Sequence, residues 1–174
     1  MTTKLVISAL GADRPGIVDE LSDIIYSHEL NIEDSRMTVL GGEFAILLLI
    51  SGELTALDTL QSELSEIEQT LQMDLLVKPT TKTDATGDTI PYSVEVAALD
   101  HPGIVSNISS FFSSRDINIV NLETESYSAP HTGSPMFALH MTVGIPAATN
   151  IGQLREAFMD FCDELNLDAE LTNL

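Results

Sequence analysis

The 174-residue chain has no tryptophan, a single cysteine, and seven lysines and arginines against 27 aspartates and glutamates. Each shortage excludes something. One thiol, Cys162, forms neither an internal disulfide nor a cysteine metal cluster, which fits a reducing compartment. The cations, Lys4, Arg14, Arg36, Lys78, Lys82, Arg115 and Arg155, make no run or stripe. Nucleic-acid binding requires clustered bases to displace counterions, so a net charge of −20 argues against direct contact with DNA or RNA. The longest apolar run, Phe44 to Ile50, is far short of the ~20 residues of a membrane helix. Met1 to Leu5 has no signal-peptide organisation, and a cytoplasmic location is expected.

What is present is a core-forming composition, 44% hydrophobic and 20% charged, which excludes a disordered polyanion. The acidity is even. Residues 1–79 hold 14 acids and 4 bases, residues 80–174 hold 13 and 3, and each side carries −10.

The even split follows an internal repeat. Asp13-Arg14-Pro15-Gly16-Ile17-Val18 recurs as Asp100-His101-Pro102-Gly103-Ile104-Val105, and Leu30-Asn31-Ile32 as Ile117-Asn118-Ile119, both at a shift of 87. Phe44-Ala45 matches Phe137-Ala138 at 93, so the second copy carries about six extra residues, in the loop-like stretch Ser128 to Pro135. Leu57, Leu60, Leu64 and Ile67 match Ile151, Leu154, Phe158 and Phe161 at 94. Two copies of roughly 80 residues cover nearly the whole chain. The division expected is 1–79 and 91–174, with the polar, Thr-rich stretch 80–90 as linker.

Within the first copy, Leu5 to Leu10 reads as a strand. Ile17, Val18, Leu21, Ile24, Ile25 and His28 form one stripe of a helix that should start at Pro15. Asn31–Leu40 and Glu43–Ile50 read as strands joined by a Gly41-Gly42 hairpin turn. Leu57, Leu60, Leu64, Ile67 and Leu71 form a second helical stripe, and Met73–Lys78 a last strand. The order β-α-β-β-α-β predicts an α+β, ferredoxin-like domain: a four-stranded antiparallel sheet with two helices on one face. Phe44 to Ile50 is apolar at every position, whereas a half-exposed strand alternates. The second sheet face is therefore expected to be covered, by the other copy, by another chain, or by both.

The repeated Asp-x-Pro-Gly lies between the first strand and first helix of each copy. Free N–H groups at a helix start attract carboxylates, and Asp13 or Asp100 can accept from an ammonium group. The pair suits a free amino acid. Equally, Asp there can be a helix cap, with Pro and Gly as turn residues. The residues alone leave both readings open.

The copy with its Gly-x-Asp-x-Pro-Gly turn resembles the ACT domain, a small-ligand regulatory module. More closely, Ala9 to Val18, Asn31 to Met37 and Leu40 to Phe44 resemble the glycine cleavage system transcriptional repressor family, a tandem of two ACT domains. The first copy matches densely and the second at the ACT level only. The resemblance implies an amino-acid site at an interface between two domains. Carried over, its residues are Gly11, Asp13, Pro15, Gly16, Ile17 and Asn31, then Asp100, Pro102, Gly103, Ile104 and Asn118. Asp stands where amino-acid-binding members often have Asn, and Gly11 and Ala98 stand where some have His. The resemblance also implies a glycine- or serine-class effector, a DNA-binding activator of LysR type as protein partner, no cofactor, and a homo-oligomer. The alternative is a regulatory subunit of an enzyme of amino-acid metabolism.

Other features weigh less. Gly41-Gly42-Glu43-Phe44 superficially suggests a diguanylate cyclase, but Leu5 to Leu10 offers no carboxylate for a metal, and a hairpin turn accounts for the glycines. His28, His101, His131 and His140 follow no metal-ligand spacing. His28 closes an apolar stripe, and Cys162 reads as a small core residue without a base beside it. Asp34, Ser35 and Arg36 are read as a protein-contact surface or an ordinary strand with a local ion pair. Glu63, Glu66 and Glu68 read as a solvated helix face. No catalytic constellation and no phosphate loop are found, so an enzyme is not expected.

Overall fold

The structure is a computed structural model that describes residues 3–80 and 88–174. The chain divides into two compact units, Met1–Asp84 and Ala85–Leu174. Residues 81–87 of the expected linker lie outside the described residues; of its ends, Thr80 closes one strand and Thr89 opens the next.

The first unit runs β1 (Thr3–Ala12), α1 (Ile17–Ser27), β2 (Asn31–Leu40), β3 (Glu43–Gly52), α2 (Leu54–Ser62), α3 (Leu64–Leu71) and β4 (Met73–Thr80). Its sheet order is β2-β3-β1-β4, antiparallel throughout. Alternation decides which face is core. Leu5, Ile7 and Ala9 of β1 and Phe44, Ile46, Leu48 and Ile50 of β3 are buried under Leu21 and Ile25 of α1 and Leu57, Leu60, Ile67 and Leu71 of α2 and α3. Each such Leu or Ile contributes ~1.5–3 kcal/mol by leaving water.

Helix α1 begins at Ile17, two residues later than Pro15 as expected. Gly16 has φ 87°, a left-handed conformation that cannot sit inside a right-handed helix and that favours glycine. The second stripe is two helices, not one. Glu63 breaks it at φ −94°, ψ 3°, where the Ser62 hydroxyl donates to the Thr59 carbonyl oxygen at 2.7 Å. The apolar stripe stays in register across this break, so periodicity alone does not reveal it. Gly41 and Gly42 form the hairpin turn, with φ 63° and 89°.

The second unit runs β5 (Thr89–Leu99), α4 (Ile104–Ser113), β6 (Asn118–Ser128), β7 (Pro135–Pro146), α5 (Ile151–Glu164) and β8 (Asp168–Asn173), with sheet order β6-β7-β5-β8. Here the second helix is continuous, started by Asn150, whose side chain accepts from the Gln153 N–H at 3.2 Å. The extra residues form a loop between Ser128 and Pro135, closed by Ala129 N–H to Ser134 O at 2.9 Å. The core centres on Phe111, Phe112 and Phe158, with ring centroids 5.2–5.3 Å apart. Cys162 is fully buried against them, and burial, with Asp163 adding to it, raises its thiol to about 11. That is the core residue the sequence suggests, not a nucleophile.

In the first unit the sheet face away from the helices carries large apolar side chains. Leu10, Leu47 and Leu76 point away from the helices and are 48%, 51% and 70% exposed.

Candidate functional site

The repeated turn sits in the same place in both units. Asp13 N–H donates to Gly42 O at 3.0 Å, so the turn packs against the β2–β3 hairpin. Asp100 N–H donates likewise to Pro135 O at 2.9 Å. Gly16 and Gly103 precede the helices, at φ 87° and 104°, and no side chain caps either helix start. Asp13 and Asp100 are therefore not helix caps. Ile17 and Ile104 bury their side chains in the two cores, so only their backbone N–H groups face the turn.

The two turns differ in what holds their charges. Arg14 donates to both oxygens of Glu20, each at 2.6 Å, and reaches Leu71 O at 3.5 Å. This fork holds the Glu20 carboxyl below its usual range and raises Arg14. In the second unit His101 replaces Arg14, and its Nδ1 lies 3.1 Å from Pro102 O. Asp100 accepts from the Ser126 hydroxyl at 3.0 Å. At the shift of 87 the first unit has Val39 there, which cannot donate. The Asp13 carboxylate makes no hydrogen bond or ion pair among the described residues, so its charge is free where that of Asp100 is partly engaged. The signal for this lies in the repeat alignment, Ser126 against Val39.

Gly11 has a structural duty. A Cβ there would stand 2.9 Å from Met73 Cγ and 3.0 Å from Gln72 O, so β4 approaches β1 only over glycine. Gly11 also lines a shallow open depression with Glu68, Gln72 and Asp74, which holds none of the other candidate residues.

The asparagines do not join the turns. Asn31 pairs in register with Ser51, and Ser51 with Lys4, at the start of β1. Asp13 follows the far end of β1, some nine residues on and about 25–30 Å away at 3.3 Å per residue. Asn118 is placed likewise, through Gly144 to Pro91, opposite the Asp100 end. Helix α1 returns the chain antiparallel to β1, so whatever follows it starts at the opposite end of the sheet. Within one unit the expected residues fall into two groups at opposite ends of the sheet.

The remaining candidates resolve simply. Asp34 and Arg36 pair with each other, with side chains 58% and 74% exposed on the face away from the helices; Ser35 lies on the other face. His28 closes α1: its Nδ1 lies 2.7 Å from Ile24 O and its Nε2 3.1 Å from Glu63 Oε2. Among the described residues no helix is long and apolar enough to cross a membrane, and no three His, Cys, Asp or Glu are grouped to hold a metal.

A split β-α-β-β-α-β sheet with a Pro-Gly turn at each helix start defines an ACT-type module, and the ACT domain family matches residues 3–78. Over 167 residues the chain is 31% identical to the glycine cleavage system transcriptional repressor of Escherichia coli strain K12, spanning 96% of this chain and 88% of that protein. The chain belongs to the glycine cleavage system transcriptional repressor family, a family of tandem ACT-domain regulators. Among solved structures, an unknown protein from Galdieria sulphuraria matches at TM-score 0.82 and 28% identity, over 100% of this chain and 99% of that one. One provisionally assigned as a glycine cleavage system transcriptional repressor matches at TM-score 0.75 and 28% identity, over 100% and 98%. A UPF0237 protein of Methanopyrus kandleri is 37% identical over 78 residues, 44% of this chain and 87% of that protein.

Proposed function

We propose that this regulator responds to a small amino acid of the glycine or serine class and represses transcription through contact with a DNA-binding activator of LysR type. It neither catalyses a reaction nor reads DNA itself, and it works in the cytoplasm. One observation carries the ligand half: the unengaged Asp13 carboxylate beside the uncapped start of α1. Helix N–H groups accept the ligand carboxylate, with the helix dipole in favour, while Asp13 accepts the ammonium. Because Asn31 stands at the other end of its sheet, a complete site takes its turn from one ACT domain and its asparagine from another. Asp100, Pro102, Gly103 and Asn118 offer a weaker version, since Ser126 already occupies Asp100. Binding that favours one arrangement of domains changes affinity for the activator. The net charge of −20 supports the protein-contact half, since DNA repels it. Asp34 and Arg36, on one face of β2, are a protein-contact surface in this reading, and Ser35, on the other face, is not part of it.

The test has two arms. Thermal melting is followed with glycine, serine and the other common amino acids. A rise in midpoint that Asp13→Ala abolishes and Asp100→Ala largely keeps is expected; no rise with any amino acid overturns the ligand half. Affinity purification from the native host should return a DNA-binding activator. An enzyme of amino-acid metabolism as the main partner, or promoter binding by the purified protein alone with a steep salt slope, overturns the partner half.

A further inference from the structure

The middle of the open face of the first sheet carries three cross-strand rows: Asp34–Leu49–Val6–Lys78, Arg36–Leu47–Ser8–Leu76 and Thr38–Ala45–Leu10–Asp74. The order in each is β2, β3, β1, β4. Its middle is apolar, and its exposed leucines, Leu10, Leu47 and Leu76, are contiguous across β1, β3 and β4. Three of the cations in a chain of net charge −20 lie here, Lys4, Arg36 and Lys78, against Asp34, Asp74 and the bulge residue Glu33, which pairs with Lys4. In a polyanion, self-association meets long-range repulsion everywhere except where a face is neutral. Apart from Glu43 at its hairpin end, this face is balanced in charge.

The pattern is also self-complementary. One row has its acid, Asp34, on the β2 edge and its base, Lys78, on the β4 edge. Consider two such faces related by a two-fold axis lying between the sheets and parallel to the strands. That operation sets β2 of one copy over β4 of the other and keeps every row in step. Asp34 then faces Lys78 twice, Leu49 faces Val6, and Ala45 faces Leu10. The stem of Arg36 covers Leu76. The angle of about 30° between packed sheets displaces the edges by roughly one residue, within the reach of a lysine. A two-fold across the strands instead stacks Arg36 on Arg36.

We propose that the open sheet face of the first unit is the contact by which two copies of this chain pair, through Val6, Leu10, Leu47 and Leu49 on the inner strands, with Asp34–Lys78 ion pairs and Arg36–Leu76 contacts at the edges, about a two-fold parallel to the strands. A second copy is thus the partner of the Asp34–Arg36 surface. The pairing holds whether or not an amino acid binds.

Sedimentation velocity of the full chain over a concentration series tests it. The wild type is expected to be a dimer. Leu47→Glu and Leu76→Glu are expected to give monomers with unchanged circular dichroism and melting. Lys78→Asp and Asp34→Lys should each raise the dissociation constant about tenfold or more, as like charges meet, and the double exchange Asp34→Lys with Lys78→Asp should restore it. Glu95→Ala on the second unit should change nothing. A wild type that is monomeric up to its solubility limit overturns the proposal, as does a dimer that survives both leucine variants or falls apart in Glu95→Ala. A failed restoration overturns the axis. No amino acid is present, so this result is independent of the ligand titration above.

Discussion

Two sheets with the same strand order present opposite open faces. On the first, leucines and valines lie among balanced charges. On the second, the rows read Glu123–His140–Glu95–Glu170 and Glu125–Ala138–Ala97–Asp168, with no lysine or arginine. Glu95 and Glu170 stand directly across from each other, an arrangement that weakens a sheet. The units carry the same net charge, −10 each, yet distribute it differently. Both sheets carry acids, but only the first sets Lys4, Arg36 and Lys78 among them. Duplication gave two folds; the difference in their open faces gave them separate surfaces to work with.

The turns diverge in the same sense. The first holds Arg14 in a fork to Glu20 and leaves Asp13 free; the second loses the fork and engages Asp100 with Ser126.

Four substitutions break or sharpen this contrast. The largest effect is expected at the β1–β4 contact, where the first unit has Gly11 and the second Ala98. Gly11→Ala places a Cβ against Met73 and Gln72 O and should cost about 1–3 kcal/mol in urea unfolding. Ala98→Gly should cost only ~0.5–1 kcal/mol, through chain entropy. Equal costs would mean that β4 can shift away from β1. Next, Glu170→Lys turns the like-charged pair with Glu95 into an attractive one and should stabilise the second unit by ~0.2–1 kcal/mol, with the gain shrinking in salt. No gain at low salt would show that the acidic face carries no repulsion. The smallest effect is at Arg14. Its fork depresses the Glu20 carboxyl, so it adds stability above the ordinary carboxylate range and loses it as pH falls through the lowered value. Arg14→Ala should therefore unfold slightly earlier than wild type at neutral pH and together with it in acid. A difference that persists in acid would assign the effect to the Leu71 contact instead.

Much of this was legible because it is local. The repeat, the hairpin at Gly41-Gly42 and the helical stripes follow from the period of apolar residues and from turn chemistry. Helix α1 starts two residues after Pro15, because Pro15 suits a first helical turn as well as it suits the turn preceding Gly16. The break at Glu63 was illegible, since a kink between helices that bury the same face leaves the apolar spacing intact. The candidate site was legible as residues and not as a site. Asp13 and Asn31 are 18 apart in the chain, but α1 carries the second to the opposite end of the sheet.

The scarcity of basic residues argued against a nucleic-acid surface before any fold was known. The sequence by itself determined that, together with the tandem order of elements, since charge, period and turn residues act over a few neighbours. Tertiary structure decided which carboxylate is free, that the turn and the asparagine of each unit lie at opposite ends of its sheet, and that Lys4, Arg36 and Lys78 share one sheet face. Those outcomes depend on strand register, and register is set by which residues bury together across the sheet, a condition that no local stretch of chain contains.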